Sequence, residues 1–301
     1  MANTFLTPDV IAAAALANLY ENTVMANLVH RDYEPEFANK VGDTITIRKP
    51  ATFTTHDFDR SNPAITIQDA TETGIPLTLN KFKDVSFAVT SEDLTLSIKD
   101  FSTQLLNPAM QAMAEQIDRD VLSLRSDVTQ IVGQTTPAWD DPDSLVDAGA
   151  TLDENNVPLT ERRLVVGPRT KAAYLKTDLF QQAQQSGSTQ GLREASLGNR
   201  VFGFDGYMSQ NVKLGTQGTG LPTTEQSVAF HRTAFALVFR PLALPQGAKN
   251  AAILNYQGFG LRVVYDYDVN KKQDVVSIDC LYGVKTLDAN RAVLIQGPDG
   301  A

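Results

Sequence analysis

DFSTQLLNPAMQAMAEQIDRDVLSLRSDVTQIV, residues 100–132, carries the one long helical signature in this chain of 301 residues. Leu106, Met110, Met113, Ile117, Val121, Leu124 and Val128 recur at gaps of 4, 3, 4, 4, 3 and 4, which places them on one face of an α-helix. Glu115 and Arg119 stand four apart with the acid on the N-terminal side, the favourable order for an ion pair along a helix. Asp100 can cap the start. Pro108 falls inside the pattern and removes one backbone hydrogen bond. Either the helix kinks there, or a second helix restarts with Asn107 as its cap and Pro108 at its first position. At about 1.5 Å per residue the whole segment could span roughly 40–50 Å. It is expected to end near Gly133.

Sequence on either side of this helix reads mostly as strand or loop. Ahead of it, residues 41–48 (VGDTITIR) alternate Thr and Ile after a Gly-Asp turn, the period of a half-buried strand. Residues 49–63 are polar, with Phe53 and Phe58 isolated among them, as at a loop tip. Strands are expected again at 64–68, 75–79 and 82–90. Residues 43–90 therefore read as a β arm that goes out and returns, each limb reaching about 60 Å at roughly 3.3 Å per residue. Such an arm has no helix of its own and few large apolar residues near its tip. A two-stranded hairpin is marginal in water, and its open edges invite pairing. It needs a surface to lie on, either its own body or an adjacent copy of the chain.

Before the arm, Thr7-Pro8 is a helix start, and a helix is expected over 8–21 with a shorter piece over 23–29. After the long helix, TTPAWDDPD at 135–143 is a break that contains the only tryptophan, Trp139. A mixed region follows: helix over 144–153, strand over 162–166, and helix from Pro168 to Leu175. Next come a polar loop over 181–191 and strand-like sequence with turn glycines over 201–212. Residues 228–239 are strongly apolar and read as a strand followed by a helical turn, stopped by Pro241 and Pro245. Two β runs, 260–269 and 273–284, flank Asn270-Lys271-Lys272 and predict an antiparallel hairpin. A last short strand is expected at 292–295.

The composition narrows the function. The net charge is −9, which argues against a nucleic-acid surface built on clustered Lys and Arg. The single cysteine, Cys280, excludes an intrachain disulfide and a cysteine-based metal site. The apolar run at 10–17 has no basic residue ahead of it and is too short to cross a bilayer, so neither a secretory signal nor a membrane partner is expected. The phosphate-loop, HExxH and G-x-S-x-G patterns are absent. Gly258-Phe259-Gly260 lacks the third glycine and the following helix of a dinucleotide site. His30, His56 and His231 have no companion ligand at metal spacing. Asp140, Asp141 and Asp143 are interrupted by Pro142, which suits a helix-capping turn better than a calcium loop. No catalytic residue, cofactor or metal is expected, and the chain does not read as an enzyme.

The order of parts is the informative feature: helical arm, long β loop, spine helix, α/β region, returning hairpin. It resembles the major capsid proteins of tailed bacteriophages, which share the Hong Kong 97-type fold. Several stretches resemble the podovirus coat family of the P-twenty-two type: VGDTITIRKP (41–50), DVSFAVTSEDLTLSIKD (84–100), LNPAMQAMAEQIDRD (106–120), VAFHRTAFALVFRPL (228–242) and YDYDVNKKQDVVSI (265–278). Some members of that family carry an extra β domain; here residues 213–226 leave room only for a short polar loop.

The resemblance implies an α+β chain. Its parts are an N-terminal arm (1–40), an extended β loop (41–90), a peripheral domain with the spine helix (91–140), an axial domain (141–260), and a returning hairpin with the C-terminal strand of the peripheral domain (261–301). It implies a major capsid protein that assembles in the host cytoplasm with copies of itself, as pentamers and hexamers, into an icosahedral virion shell. A scaffolding protein and a portal would assist, and double-stranded DNA would be enclosed without sequence-specific binding. Arg48, Phe53, Phe58, Asp59 and Arg60 of the extended loop are the expected contacts with a neighbour. Other readings are the shell of an encapsulin-type compartment, another head or tail component, or an enzyme or small-ligand binder on an α+β scaffold.

Overall fold

A computed structural model describes residues 24–33, 35, 42–49, 51, 53–58, 60–61, 65, 67–70, 72–90, 107–182, 200–214, 224–245, 250–256 and 259–298. Among these, the elements in chain order begin with α1 (Met25–Leu28), β1 (Thr44–Lys49), β2 (Thr73–Thr78), β3 (Lys81–Thr90) and the spine helix α2 (Asn107–Leu122). A 3-10 turn, Ser123–Asp127, leads to β4 (Ile131–Val132), α3 (Asp143–Glu154), β5 (Arg162–Val166), α4 (Pro168–Tyr174), α5 (Asp178–Gln181) and β6 (Asp205–Met208). The chain ends with β7 (Ser227–His231), a 3-10 turn at Arg232–Ala234, β8 (Phe235–Arg240), β9 (Asn250–Tyr256), β10 (Phe259–Asp268), β11 (Gln273–Thr286) and β12 (Ala292–Ile295). The expected helix over 8–21 lies outside the described residues.

Three sheets result. The first has the order β3-β11-β10-β9, with β8 also paired to β11; the second has the order β4-β12-β7-β5-β6; the third is the pair β1-β2. The predicted hairpin of β10 and β11 is present, in register from Arg262↔Asp279 to Asp268↔Gln273. In the second sheet, residues alternate between two cores. Val165, Val228, Phe230 and Leu294 face the core that contains α2. Leu164, Val166, Ala229, Val293 and Ile295 face the core formed with α3 and α4. Burial on both faces is why these strands read as unbroken apolar runs and not as alternating ones.

Helix α2 lies over the first sheet. Met110, Met113, Ala114, Ile117 and Val121 share a core with Val263, Val276, Ile278, Cys280 and Tyr282. Burial pushes the Cys280 thiol up to about 12, so it packs as an inert apolar residue. The opposite face of the first sheet is open along β3, where Phe82, Asp84, Ser86 and Ala88 are exposed. The Glu115–Arg119 pair forms at 3.2 Å.

Helix α2 is shorter than its periodicity predicts. It begins at Asn107 with Pro108 in its second position and runs for 16 residues, about 24 Å. Asp100 and Leu106 lie outside the described residues. The helix stops at Leu122, well before Gly133, because side chains take its last carbonyls. The Arg125 guanidinium donates to Leu122 O at 3.0 Å and the Ser123 hydroxyl to Asp120 O at 2.6 Å. Ile131 and Val132 are then held by β12, with Leu294 N donating to Gln130 O and Gln296 N to Val132 O. Gly133, at φ +87°, passes so close to Trp139 that a Cβ would sit 2.8 Å from its Cα.

Other expectations are corrected too. Of the strand expected over 64–68, residues 64 and 66 lie outside the described residues, while Ile65, Ile67 and Gln68 belong to no strand and the two isoleucines are exposed. Residues 81–90 do form a strand, but it pairs with β11 along its whole length and not within the arm. The apolar run 228–239 supplies two strands, β7 and β8, divided by the turn at Arg232–Ala234. Sheet membership changes at that turn. The strand β12 belongs to the second sheet, not to the one holding the returning hairpin. The run Asp140–Asp143 does form a capping turn: Asp141 Oδ1 accepts from Asp143 N at 3.1 Å.

The buried face of α2 also holds a carboxylate that has no cationic partner among the described residues. Asp118 is 2% exposed and accepts from Val24 N at 3.4 Å and Met25 N at 3.2 Å. Burial outweighs these hydrogen bonds and pushes its pKa up to about 6. A carboxyl raised in the folded state stabilises the fold fully below its ordinary pKa near 3.8, and that contribution is lost as pH rises through about 6. Asp118→Asn keeps an accepting oxygen and removes the charge. It is expected to unfold at higher urea than the parent at pH 7.5, by on the order of 2–3 kcal/mol, and to match it near pH 4. Equal offsets at both pH values would contradict this account.

Candidate assembly surface

The β arm is rooted firmly and bare at its end. At the root, β1 and β2 pair antiparallel from Thr44↔Thr78 to Lys49↔Thr73. Ile45, Leu77 and Leu79 pack with Ala236 and Val238 of β8 in a small core of their own. Leu79 N donates to Asp43 O at 2.8 Å, and the Arg240 guanidinium donates to Gly42 O at 3.1 Å. The arm passes so close to β11 that a Cβ on Gly283 would lie 2.3 Å from Thr78 O, so this crossing requires glycine.

Beyond Lys49 the ladder ends. A side-chain amide there imitates a strand across the two limbs: Gln68 accepts from Thr54 N at 2.9 Å and donates back to Thr54 O. Phe53 and Phe58 are 63% and 55% exposed, and Ile65 and Ile67 are 77% and 83% exposed. Arg48 and Arg60 are exposed as well, and Arg48 lies opposite Gly74 in the ladder. Asp59 lies outside the described residues. Four of the five expected contact residues thus sit in the arm, with both phenylalanines near its tip. Ile65 and Ile67 join them, which sequence reading missed because an I-x-I pattern reads as one face of a paired strand. Together these four side chains form an exposed apolar patch on the arm.

Among the described residues the histidines stand apart from one another. The His231 ring Nδ1 accepts from Thr233 N and lies 2.9 Å from its hydroxyl. His30 Nε2 lies 3.3 Å from Asp32, and burial holds its pKa below the usual value. His56 is exposed in the arm. Among the described residues no three His, Cys, Asp or Glu side chains come together as metal ligands, and no helix is long and apolar enough to cross a membrane.

No family model matches the sequence, and no curated protein does. Solved structures do. One of Mycobacterium phage Che8 is similar at a TM-score of 0.70 and 23% identity, covering 90% of each chain. The capsid structure of Cyanophage P-SCSP1u is similar at a TM-score of 0.61 and 12% identity, over 92% of this chain and 89% of that one. The chain has the Hong Kong 97-type capsid fold. The capsid fold also covers the virus-like particle from Pyrococcus furiosus, similar at a TM-score of 0.54 and 14% identity over 95% of this chain and 97% of that one. These likenesses span nearly the whole chain.

Proposed function

We propose that this chain is a shell subunit that assembles with copies of itself into the icosahedral head of a tailed phage. The single observation that carries the reading is the arm, whose root is packed and whose Phe53, Phe58, Ile65 and Ile67 are exposed. A neighbouring copy covers them. Closed symmetry uses the same patch on every subunit, so a modest contact is repeated around each pentamer and hexamer. In this reading residues 1–40 are the N-terminal arm, the extended loop is the intersubunit strap, and Arg48, Asp59 and Arg60 flank its apolar tip. The shell encloses double-stranded DNA without reading its sequence, consistent with a net charge of −9. A scaffolding protein and a portal act during assembly in the host cytoplasm. The chain itself catalyses nothing.

A second reading is the shell of a non-viral compartment, favoured by the likeness to the Pyrococcus furiosus virus-like particle. Negative-stain microscopy with light scattering on the purified chain, with and without crowding agent, tests both. Closed shells, tubes or sheets are expected. A monomer under every condition, even with the proteins encoded beside it, would refute the shell reading. Nucleic acid inside shells recovered from cells supports the phage reading; protein cargo supports the compartment.

A further inference from the structure

Residues 24–33 run from the spine helix to β8 and are pinned at two ends. At the first end, α1 buries Met25, Ala26 and Leu28 in the core of α2, and Asp118 of α2 accepts from Val24 N and Met25 N. At the second end, His30 joins β8 through a parallel bridge to Ala236. His30 N donates to Phe235 O and Leu237 N donates to His30 O, both at 3.0 Å. Each pin is built on an ionisable side chain whose surroundings suit only its neutral form.

Asp118 meets two backbone N–H groups and the Asn211 amide, and is 2% exposed. Helix α1 brings no titratable side chain to it. The cations around it are engaged elsewhere. Arg119 bonds Glu115 and Asn211 Oδ1, and Arg163 of β5 donates to Asn27 O. Asp120, two positions on, accepts from the Tyr282 hydroxyl and lies 3.6 Å from Lys81. A carboxylate buried without a counter-ion is costly, and burial pushes the Asp118 pKa up to about 6.

The His30 side chain is 15% exposed and lies against the Tyr33 ring. Its Nε2 is 3.3 Å from the Asp32 carboxylate, which places the proton of the neutral ring on that nitrogen. Its Nδ1 is buried and has no hydrogen-bond partner among the described residues. Charging the ring adds a proton to Nδ1, where no acceptor meets it. The charges that face the ring are mixed. Asp32 and Glu161 favour the cation, Arg232 opposes it, and burial outweighs them and lowers the pKa.

We propose that residues 24–33 form a two-ended pH latch, in which acid tightens the α1 end and loosens the β8 end. Asp118 is neutral in acid. The α1 end is therefore held fully below the ordinary carboxyl value near 3.8, and that hold is lost as pH rises through about 6. His30 is neutral in base. The β8 end is held fully above the ordinary value of 6.5 and weakens as pH falls through the lower value of the folded state. The apolar side chains of α1 keep the segment docked on average, so pH sets how often each end opens. No neighbouring copy takes part, and the latch stands whether or not the chain forms shells.

Amide hydrogen exchange of the full chain at about pH 4.5 and about pH 7.5, corrected for the intrinsic rate at each pH, tests the latch. Met25 N reports the α1 end, and His30 N and Leu237 N report the β8 end. The opening constant at Met25 is expected to be roughly 10–30-fold larger at the higher pH. Those at His30 and Leu237 are expected to be larger at the lower pH. Asp118→Asn should abolish the first response and leave the second. His30→Gln, which keeps a donor for Asp32, should do the reverse at Leu237 and Met25. Three outcomes overturn the inference. Equal opening constants at Met25 at the two pH values mean that Asp118 does not set the opening. Both ends moving in the same sense means a single common opening. A Met25 opening no more frequent than that of the β5 amides at the higher pH means that the segment opens only when the whole chain unfolds.

Discussion

Deleting residues 52–62 and closing the gap with a Gly-Ser pair is expected to leave a folded subunit that no longer forms shells. The reason is the division of the arm into root and tip. Ile45, Leu77 and Leu79 are buried against β8, and the deletion touches none of them. Among the described residues of the tip no apolar side chain is buried, and Thr54 and Gln68 are hydrogen-bonded to each other across it. Thermal unfolding of the variant should therefore shift by no more than about 2 °C. Covering a phenylalanine is worth about 1.5–3 kcal/mol. Loss of Phe53 and Phe58 then removes about 3–6 kcal/mol from each contact, or at least a hundredfold in its equilibrium constant at about 1.4 kcal/mol per tenfold. The milder Phe53→Ser, Phe58→Ser double variant should show the same defect in light scattering. If the deletion variant assembled like the parent, the arm would not be the strap.

The second large effect is on stability. Asp279→Ala is expected to cost about 3–5 kcal/mol, a large part of the 5–15 kcal/mol that usually holds a domain together. Arg262 and Asp279 face each other across the β10-β11 hairpin. Their contacts are 3.0 and 3.2 Å from Arg262 Nε and 2.6 Å from its Nη2, and Arg262 Nη1 donates to Ala243 O at 2.7 Å. The carboxylate is 5% exposed and the guanidinium 18%. Removing the acid strands a largely buried cation beside Ile253, its register partner on β9. Arg262→Met with Asp279→Leu removes both charges and should recover most of the loss, because the desolvation cost disappears with the pair. Urea midpoints of the single and double variants check this. A double variant no better than Asp279→Ala would mean that the hairpin needs the hydrogen bonds themselves.

Some of this was readable from residue order alone. Strand 162–166 and strand 292–295 stand where their short apolar runs predict. The hairpin around Asn270-Lys271-Lys272 forms as its turn signal requires, with Lys272 at positive φ. Met110, Met113, Ile117 and Val121 are buried as their spacing demands. The exposed Phe53 and Phe58 were readable as well, because two aromatics alone in a polar stretch cannot build a core.

Other features were invisible for definite reasons. The α2 terminus depends on Arg125 and Ser123 reaching back to its carbonyls, and on β12, more than 150 residues later, claiming Ile131 and Val132. Strand 81–90 has the same local pattern whether it pairs with the arm or with β11. Only β11, long enough to pair with β3 on one side and with β10 and β8 on the other, decides it.

The sequence by itself determined the class of element at most positions, the apolar face of the spine helix and the presence of an arm without a core, because these follow from period and composition over a few neighbouring residues. Tertiary structure alone decided which strands share a sheet, where the spine helix stops and which apolar side chains are left uncovered. Those outcomes turn on competition between distant segments for the same hydrogen bonds and the same buried surface, and no local window contains both competitors.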